Sequence, residues 1–153
     1  MNAIRESWTT ADYESLSWHD CHVHGFHLGN VNEDHGTAEL DLDVDFIVEW
    51  LPQGDRSILF RVAPATLTFH DVSSMRFLLD YCEPGAGMTP FSLDRIEREP
   101  VTYGTGYTTY RWRLPVNWPA GEITFESPGF TQQLRRQPVL QNRQSLSTGE
   151  RCG

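Results

Sequence analysis

Between Thr37 and Trp50 the chain alternates with a period of two. Leu40, Leu42, Val44, Phe46 and Val48 occupy one phase, and Glu39, Asp41, Asp43 and Asp45 the other. Successive side chains of a strand point to opposite faces, so this stretch predicts a strand with one apolar and one acidic face. Similar runs predict strands at Ser57 to Val62, Ala65 to Asp71, Met75 to Tyr81, Phe91 to Glu99, Thr108 to Pro115 and Glu122 to Ser127. Pro64 marks a bend or strand start between the first two of these, because proline cannot donate to a ladder. Phe130 to Arg136 is a further short element of either type. Thr10 to Leu16 predicts the one short helix, of about two turns, capped by Thr9 or Thr10.

Turn signals punctuate these runs at close intervals, at Pro84-Gly85 to Gly87, Trp118-Pro119-Ala120-Gly121 and Ser127-Pro128-Gly129. The expected fold is therefore mainly β: an antiparallel sandwich, or one strongly curved sheet, of seven or more strands. Its core should hold Leu40, Leu42, Val44, Phe46, Leu67, Phe69, Leu78, Trp112, Ile123 and Phe125. A chain of 153 residues fits one domain, residues 1–153, with 1–8 and 142–153 expected to fray.

Composition narrows the chemistry. The net charge of −9 disfavours a nucleic-acid backbone as ligand and suits a basic protein partner. All twelve basic residues are arginine. Without lysine, Schiff-base catalysis and a phosphate-loop lysine are excluded. Three cysteines, Cys21, Cys82 and Cys152, have no C-x-x-C spacing and read as reduced thiols of a cytoplasmic protein. The residues after Met1 lack the apolar segment of a secretory leader, and no apolar run reaches the roughly 20 residues of a membrane helix.

The densest chemistry lies in Trp18-His19-Asp20-Cys21-His22-Val23-His24-Gly25-Phe26-His27, with four of the six histidines in nine residues. Asp20-x-His22-x-His24 copies a ligand motif of metal-dependent hydrolase barrels, but such a barrel needs roughly 250 residues and further ligands. A cupin needs a third histidine late in the chain, and none follows His70. A local site remains. If Gly29 to Gly36 joins two paired strands, His27 falls near Glu39, His24 near Asp41 and His22 near Asp43. A bulge at His24-Gly25 would keep Val23, Phe26 and Leu28 inward. His22, His24, His27, Asp41 and Asp43 could then hold zinc or another divalent ion. The alternative is a solvated face without cofactor, whose carboxylates raise the imidazole pKa values. Arg111 and Arg113 are expected to pair with Glu122 and Glu126. Trp18, His19 and Asp20 are expected to be structural, Asp20 pinning the start of the strand that follows through backbone N–H groups or His19.

Several motifs carry a resemblance. Trp18-His19-Asp20, Asp45-Phe46-Ile47-Val48-Glu49-Trp50, Ala63-Pro64-Ala65-Thr66-Leu67, Tyr110-Arg111-Trp112 and Gly129-Phe130-Thr131-Gln132 together resemble a family of small uncharacterised bacterial proteins. The Trp-His-Asp opening also resembles β-rich immunity proteins of contact-dependent toxin systems. That second resemblance implies a binding protein without catalytic activity, its acidic face of Glu39 to Glu49 meeting a basic partner. The competing expectation is a metal-dependent enzyme or metal-binding module centred on His22, His24 and Asp41.

Overall fold

The computed structural model describes residues 4–85 and 87–152, the Cys152 side chain excepted. The strands, in chain order, are β1 (Ser7–Thr9), β2 (His22–Asn32), β3 (Thr37–Pro52), β4 (Ile58–Leu79), β5 (Phe91–Leu93), β6 (Glu97–Thr102), β7 (Thr108–Trp118), β8 (Gly121–Ser127), β9 (Gly129–Leu134) and β10 (Val139–Gln141). All belong to one antiparallel sheet, and the fold is mainly β as the alternation predicts. Stepping between hydrogen-bonded neighbours from β3 through β4, β8, β7, β5 and β2 returns to β3. The strongly curved sheet thus closes into a six-stranded ring whose interior is filled by side chains. β9, β10 and β1 extend the sheet on one side of β4 or beyond it, and β6 pairs with β7.

One cluster forms the core. Leu40, Leu42, Leu67, Phe69, Trp112 and Phe125 are essentially inaccessible to solvent. Phe69 packs edge-on against Trp112 and Phe125 at 5.0 and 4.6 Å between ring centroids. The Trp112 indole N–H donates to the Ser127 carbonyl at 2.9 Å, so its polar end is satisfied in the interior. Nine of the ten expected core residues are buried; Leu78 is not, with 51% of its surface exposed. Asp71 and Ser74 sit at positive φ, and the ladder to β8 slips between Ser73 and Arg76. That bulge turns Phe77 inward and Leu78 outward. A second slip, between Ile47 and Glu49, buries Ile47 and leaves Val48 half-buried.

Pro64 lies inside a strand rather than between two. On one side β4 pairs with β3 straight through Pro64, which lies opposite Asp45; on the other, β10 pairs with residues 60–62 and β9 with 65–70. Pro64 occupies the gap, with its carbonyl accepting from Arg135 N–H at 2.8 Å. Its missing donor falls where no ladder bond is required.

The termini also differ from expectation. Trp8 of β1 is buried against Phe46, so residues 4–8 include an ordered strand, and residues 1–3 lie outside the described residues. Thr10–Ser15 is a 3-10 helix rather than an α-helix, closed by Leu16 N–H to the Tyr13 carbonyl. It rests on Gly129, where an added Cβ would overlap the Thr10 hydroxyl. The segment after Gln141, expected to fray, carries a short helix, α1 (Thr148–Cys152), and buries Leu146 in the core.

Candidate functional site

The β2–β3 register sets the geometry of the histidines. His22 lies opposite Asp45, Gly25 opposite Asp43, His27 opposite Asp41 and Gly29 opposite Glu39. This is displaced by two residues from the expected pairing of His22 with Asp43 and His27 with Glu39. The displacement arises at the turn, where a slip between Gly29 and Asn32 takes into the ladder residues that a loop from Gly29 to Gly36 would leave unpaired. The expected bulge does occur, and it leaves His24 without an opposite residue. His24 Nε2 instead donates to Asp45 Oδ2 at 2.7 Å.

Asp45 is the residue that the alternation concealed. It carries the same side-chain type as Asp41 and Asp43, yet it is fully buried. Its carboxylate accepts from His24, from Leu146 N–H at 2.9 Å and from the Arg151 guanidinium. Arg151 also donates to Asp43, which takes a second arginine, Arg135, at 2.6 Å. The C-terminal segment therefore covers Asp45 and reaches Asp43, the two carboxylates that Arg151 and Arg135 pair with. Burial alone would raise the Asp43 carboxyl; the Arg135 and Arg151 guanidiniums outweigh burial and hold it below the usual aspartate value.

The remaining acids of the face are engaged separately. Asp41 accepts from the Thr68 hydroxyl at 2.6 Å and is 4.0 Å from the exposed His27 ring. Glu39 accepts from Asn30 at 2.6 Å and from His70 at 3.1 Å, and these bonds hold its pKa low. Glu49 takes Arg61 at 2.8 Å. The structure thus does not gather His22, His24, His27, Asp41 and Asp43 at one point, and among the described residues no group of three or more His, Cys, Asp or Glu side chains is placed to hold a metal.

The imidazoles move opposite to the sequence expectation. Burial is the largest influence on His22 and His24, and it lowers both pKa values. Positive charge from Arg151 adds to the lowering at His24. Asp45 is already matched by Arg151, so it offers the ring little uncompensated negative charge. His22 Nδ1 is buried and has no hydrogen-bond partner among the described residues. Cys21 is fully buried, its thiol pushed up to about 12 by desolvation. A thiol in that state is a core residue and no nucleophile.

Trp18, His19 and Asp20 form a junction. Trp18 is buried, and its indole N–H donates to the buried Gln132 side chain at 2.8 Å. Asp20 turns the chain at φ 61°, with Cys21 N–H closing onto the Trp18 carbonyl. Its carboxylate accepts from Asn117 at 2.7 Å and Gln144 at 3.0 Å, and His19 Nε2 lies 3.4 Å away. Asp20 therefore reaches β7 and the C-terminal segment through side chains, where backbone N–H groups or His19 were expected; of these, His19 is the one beside it. On the opposite rim, Arg113 pairs with Glu122 and Glu97 and Arg111 with Glu99, while Glu126 takes the Tyr103 hydroxyl instead of an arginine.

Two open features flank this region. A cleft of about 710 Å³ lies between β2, β5, the end of β7 and the C-terminal segment, with His22, His24, Ser92, Trp118, Ser147 and Thr148 on its walls. The second is the edge of β2. β5 pairs only with His22 and Val23, so from Gly25 to Asn32 the edge away from β3 has no ladder partner among the described residues. Phe26 and Leu28 lie opposite Leu42 and Leu40, on the core side as expected, but are 49% and 44% exposed; the Phe26 ring packs on Phe77 of β4 at 4.5 Å between centroids, and no strand pairs beside them.

No family model, no curated protein and no solved structure matches the chain. No helix among the described residues is long and apolar enough to cross a membrane.

Proposed function

We propose that this protein is a binding domain without catalytic activity, acting on a protein partner through the open edge of β2. The observation that carries this reading is the run Gly25 to Asn32, a strand edge without a ladder partner among the described residues and with part-exposed apolar side chains. An incoming strand would complete the ladder and continue the inner face over Phe26 and Leu28. The basic partner expected from the net charge would meet Glu33 and Asp34, exposed at the β2–β3 turn. The face from Glu39 to Glu49 serves less well, because its carboxylates are matched by the protein's own arginines, histidines, amides and hydroxyls. An immunity-type role, a cytoplasmic setting and the motif resemblances are compatible with such a surface.

Affinity capture from the cells that make the protein tests this. The wild type should retain a basic protein that Phe26→Lys/Leu28→Lys releases and that Trp118→Ala, in the separate cleft, keeps. Identical capture by wild type and edge variant would exclude the edge.

One observation favours a second reading. Asp43 and Asp45 both accept from the Arg151 guanidinium, and His24 bonds Asp45; displacement of the C-terminal segment would free these two carboxylates beside an imidazole for a divalent ion. Metal analysis of protein purified without added metal distinguishes the two. Stoichiometric zinc in the wild type, lost in His22→Gln/His24→Gln, would favour a metal-binding module.

A further inference from the structure

The cleft bounded by the C-terminal segment has its own chemistry. A volume of about 710 Å³ is in the range of small-ligand pockets. No aspartate, glutamate or arginine is among the described residues lining it. The charges beneath it are internally matched, Asp43 and Asp45 by Arg135 and Arg151. Its two imidazoles are held neutral near pH 7 by burial and, for His24, by Arg151. A charged ligand would find no counter-ion there and would lose hydration on entering.

Hydrogen-bonding capacity is abundant nonetheless. Thr89, Ser92, Ser145, Ser147 and Thr148 put hydroxyl-bearing residues on the walls. Among the described residues, the hydroxyls of Thr89, Ser92, Ser145 and Thr148 make no protein hydrogen bond within normal distance, while Ser147 accepts one from Glu150 N–H at 3.3 Å. Trp118 supplies an aromatic wall with 44% of its surface exposed. The negative face of an indole attracts the weakly positive C–H edge of a saturated ring. Each hydroxyl can both donate and accept, as can a neutral imidazole across its two nitrogens.

We propose that this cleft binds a neutral, hydroxyl-rich saturated ring, the chemistry of an uncharged monosaccharide unit, with Trp118 as the stacking platform and the Ser/Thr cluster as the hydrogen-bonding wall. This site is separate from the β2 edge and stands whether or not the edge binds a protein. The ligand can be a free sugar or the terminal unit of a glycan; both present the same ring chemistry.

The test is titration of the full chain, observed by two-dimensional NMR of amide and indole N–H groups. The probes are a panel of neutral monosaccharides, their methyl glycosides, and glucuronate as the charged control. A saturable shift of the Trp118 indole and of the Ser145 to Thr148 amides is expected for at least one neutral sugar. Preference for the free sugar or for the methyl glycoside separates the two sources. Trp118→Ala should weaken binding roughly tenfold or more, about 1.4 kcal/mol. Trp50→Ala, at a tryptophan exposed to a similar degree outside the cleft, should leave binding unchanged. Absence of a saturable shift with every neutral probe would overturn the proposal. So would equal binding of glucuronate, or a shift indifferent to Trp118→Ala in a variant whose spectrum is otherwise native.

Discussion

Asp41 and Asp45 stand four residues apart on the same face of the same strand, and they lead different lives. Asp41 is part-exposed and bonded to Thr68 of the neighbouring strand. Asp45 is fully buried under the C-terminal segment, where His24, Leu146 N–H and Arg151 all converge on it. Position along the strand does not distinguish them. What lies on top does: the outer face of a sheet is solvated until another part of the chain covers it, and a covered carboxylate must be bonded and paired or it is strongly destabilising. Asp45 is therefore both an anchor for the last dozen residues and a liability if they detach.

The sharpest way to break the contrast is Asp45→Ala. It removes the partner of His24, the acceptor of Leu146 N–H and one of the two carboxylates that bind Arg151. The expected cost is about 3–5 kcal/mol in denaturant unfolding, accompanied by faster amide exchange in residues 142–152. A cost below about 1 kcal/mol would mean that the segment does not hold the fold. Arg151→Ala leaves Asp45 with two of its donors, so about 2–3 kcal/mol is expected, again with loosening of the C-terminal segment.

Asp20→Ala removes an acceptor shared by Asn117 and Gln144 and places alanine at positive φ. Thermal unfolding should report about 1–2 kcal/mol, with Asp20→Asn milder because asparagine tolerates that backbone.

The fourth expectation concerns pH. His22 and His24 have folded pKa values below the unfolded value near 6.5. Below that pH the unfolded chain binds more protons than the folded one, so stability is complete above about pH 6.5 and declines as the pH falls through it. This is the reverse of what His–carboxylate pairs with raised pKa values would give. The urea midpoint measured from pH 8 to 5 should fall, and His22→Gln/His24→Gln should flatten the decline. A midpoint that rises toward pH 5 would show that Asp45 acts on the rings as an unmatched charge. Asp43, held low, adds a loss only at more acid pH, as its own carboxyl protonates. Smallest of all, Asp41→Asn keeps an acceptor for Thr68 and should change stability by no more than about 0.5 kcal/mol.

Legibility in the sequence followed range. The strand at Thr37 to Trp50, the bulge at His24 and most core positions could be read because pleat periodicity is local. The two-residue displacement of the histidines could not, since it turns on how Gly29 to Asn32 folds into a bulged ladder. The role of Leu146 and Arg151 was hidden too: a polar segment with serine and glycine reads as frayed, and only one leucine hinted at docking.

The alternation of apolar and polar residues was by itself enough to set the β class and the phase of most strands, and composition alone excluded lysine chemistry. Alternation acts through neighbours along the chain, which any folded form must respect. Closure of the sheet into a ring, the burial of Asp45, the lowered imidazole pKa values and the open edge of β2 were decided only in the tertiary structure. Each depends on which distant segment covers a given face, as Arg151 covers Asp45 across 106 residues of sequence. Solvation and charge pairing are properties of that covering and not of the strand beneath it.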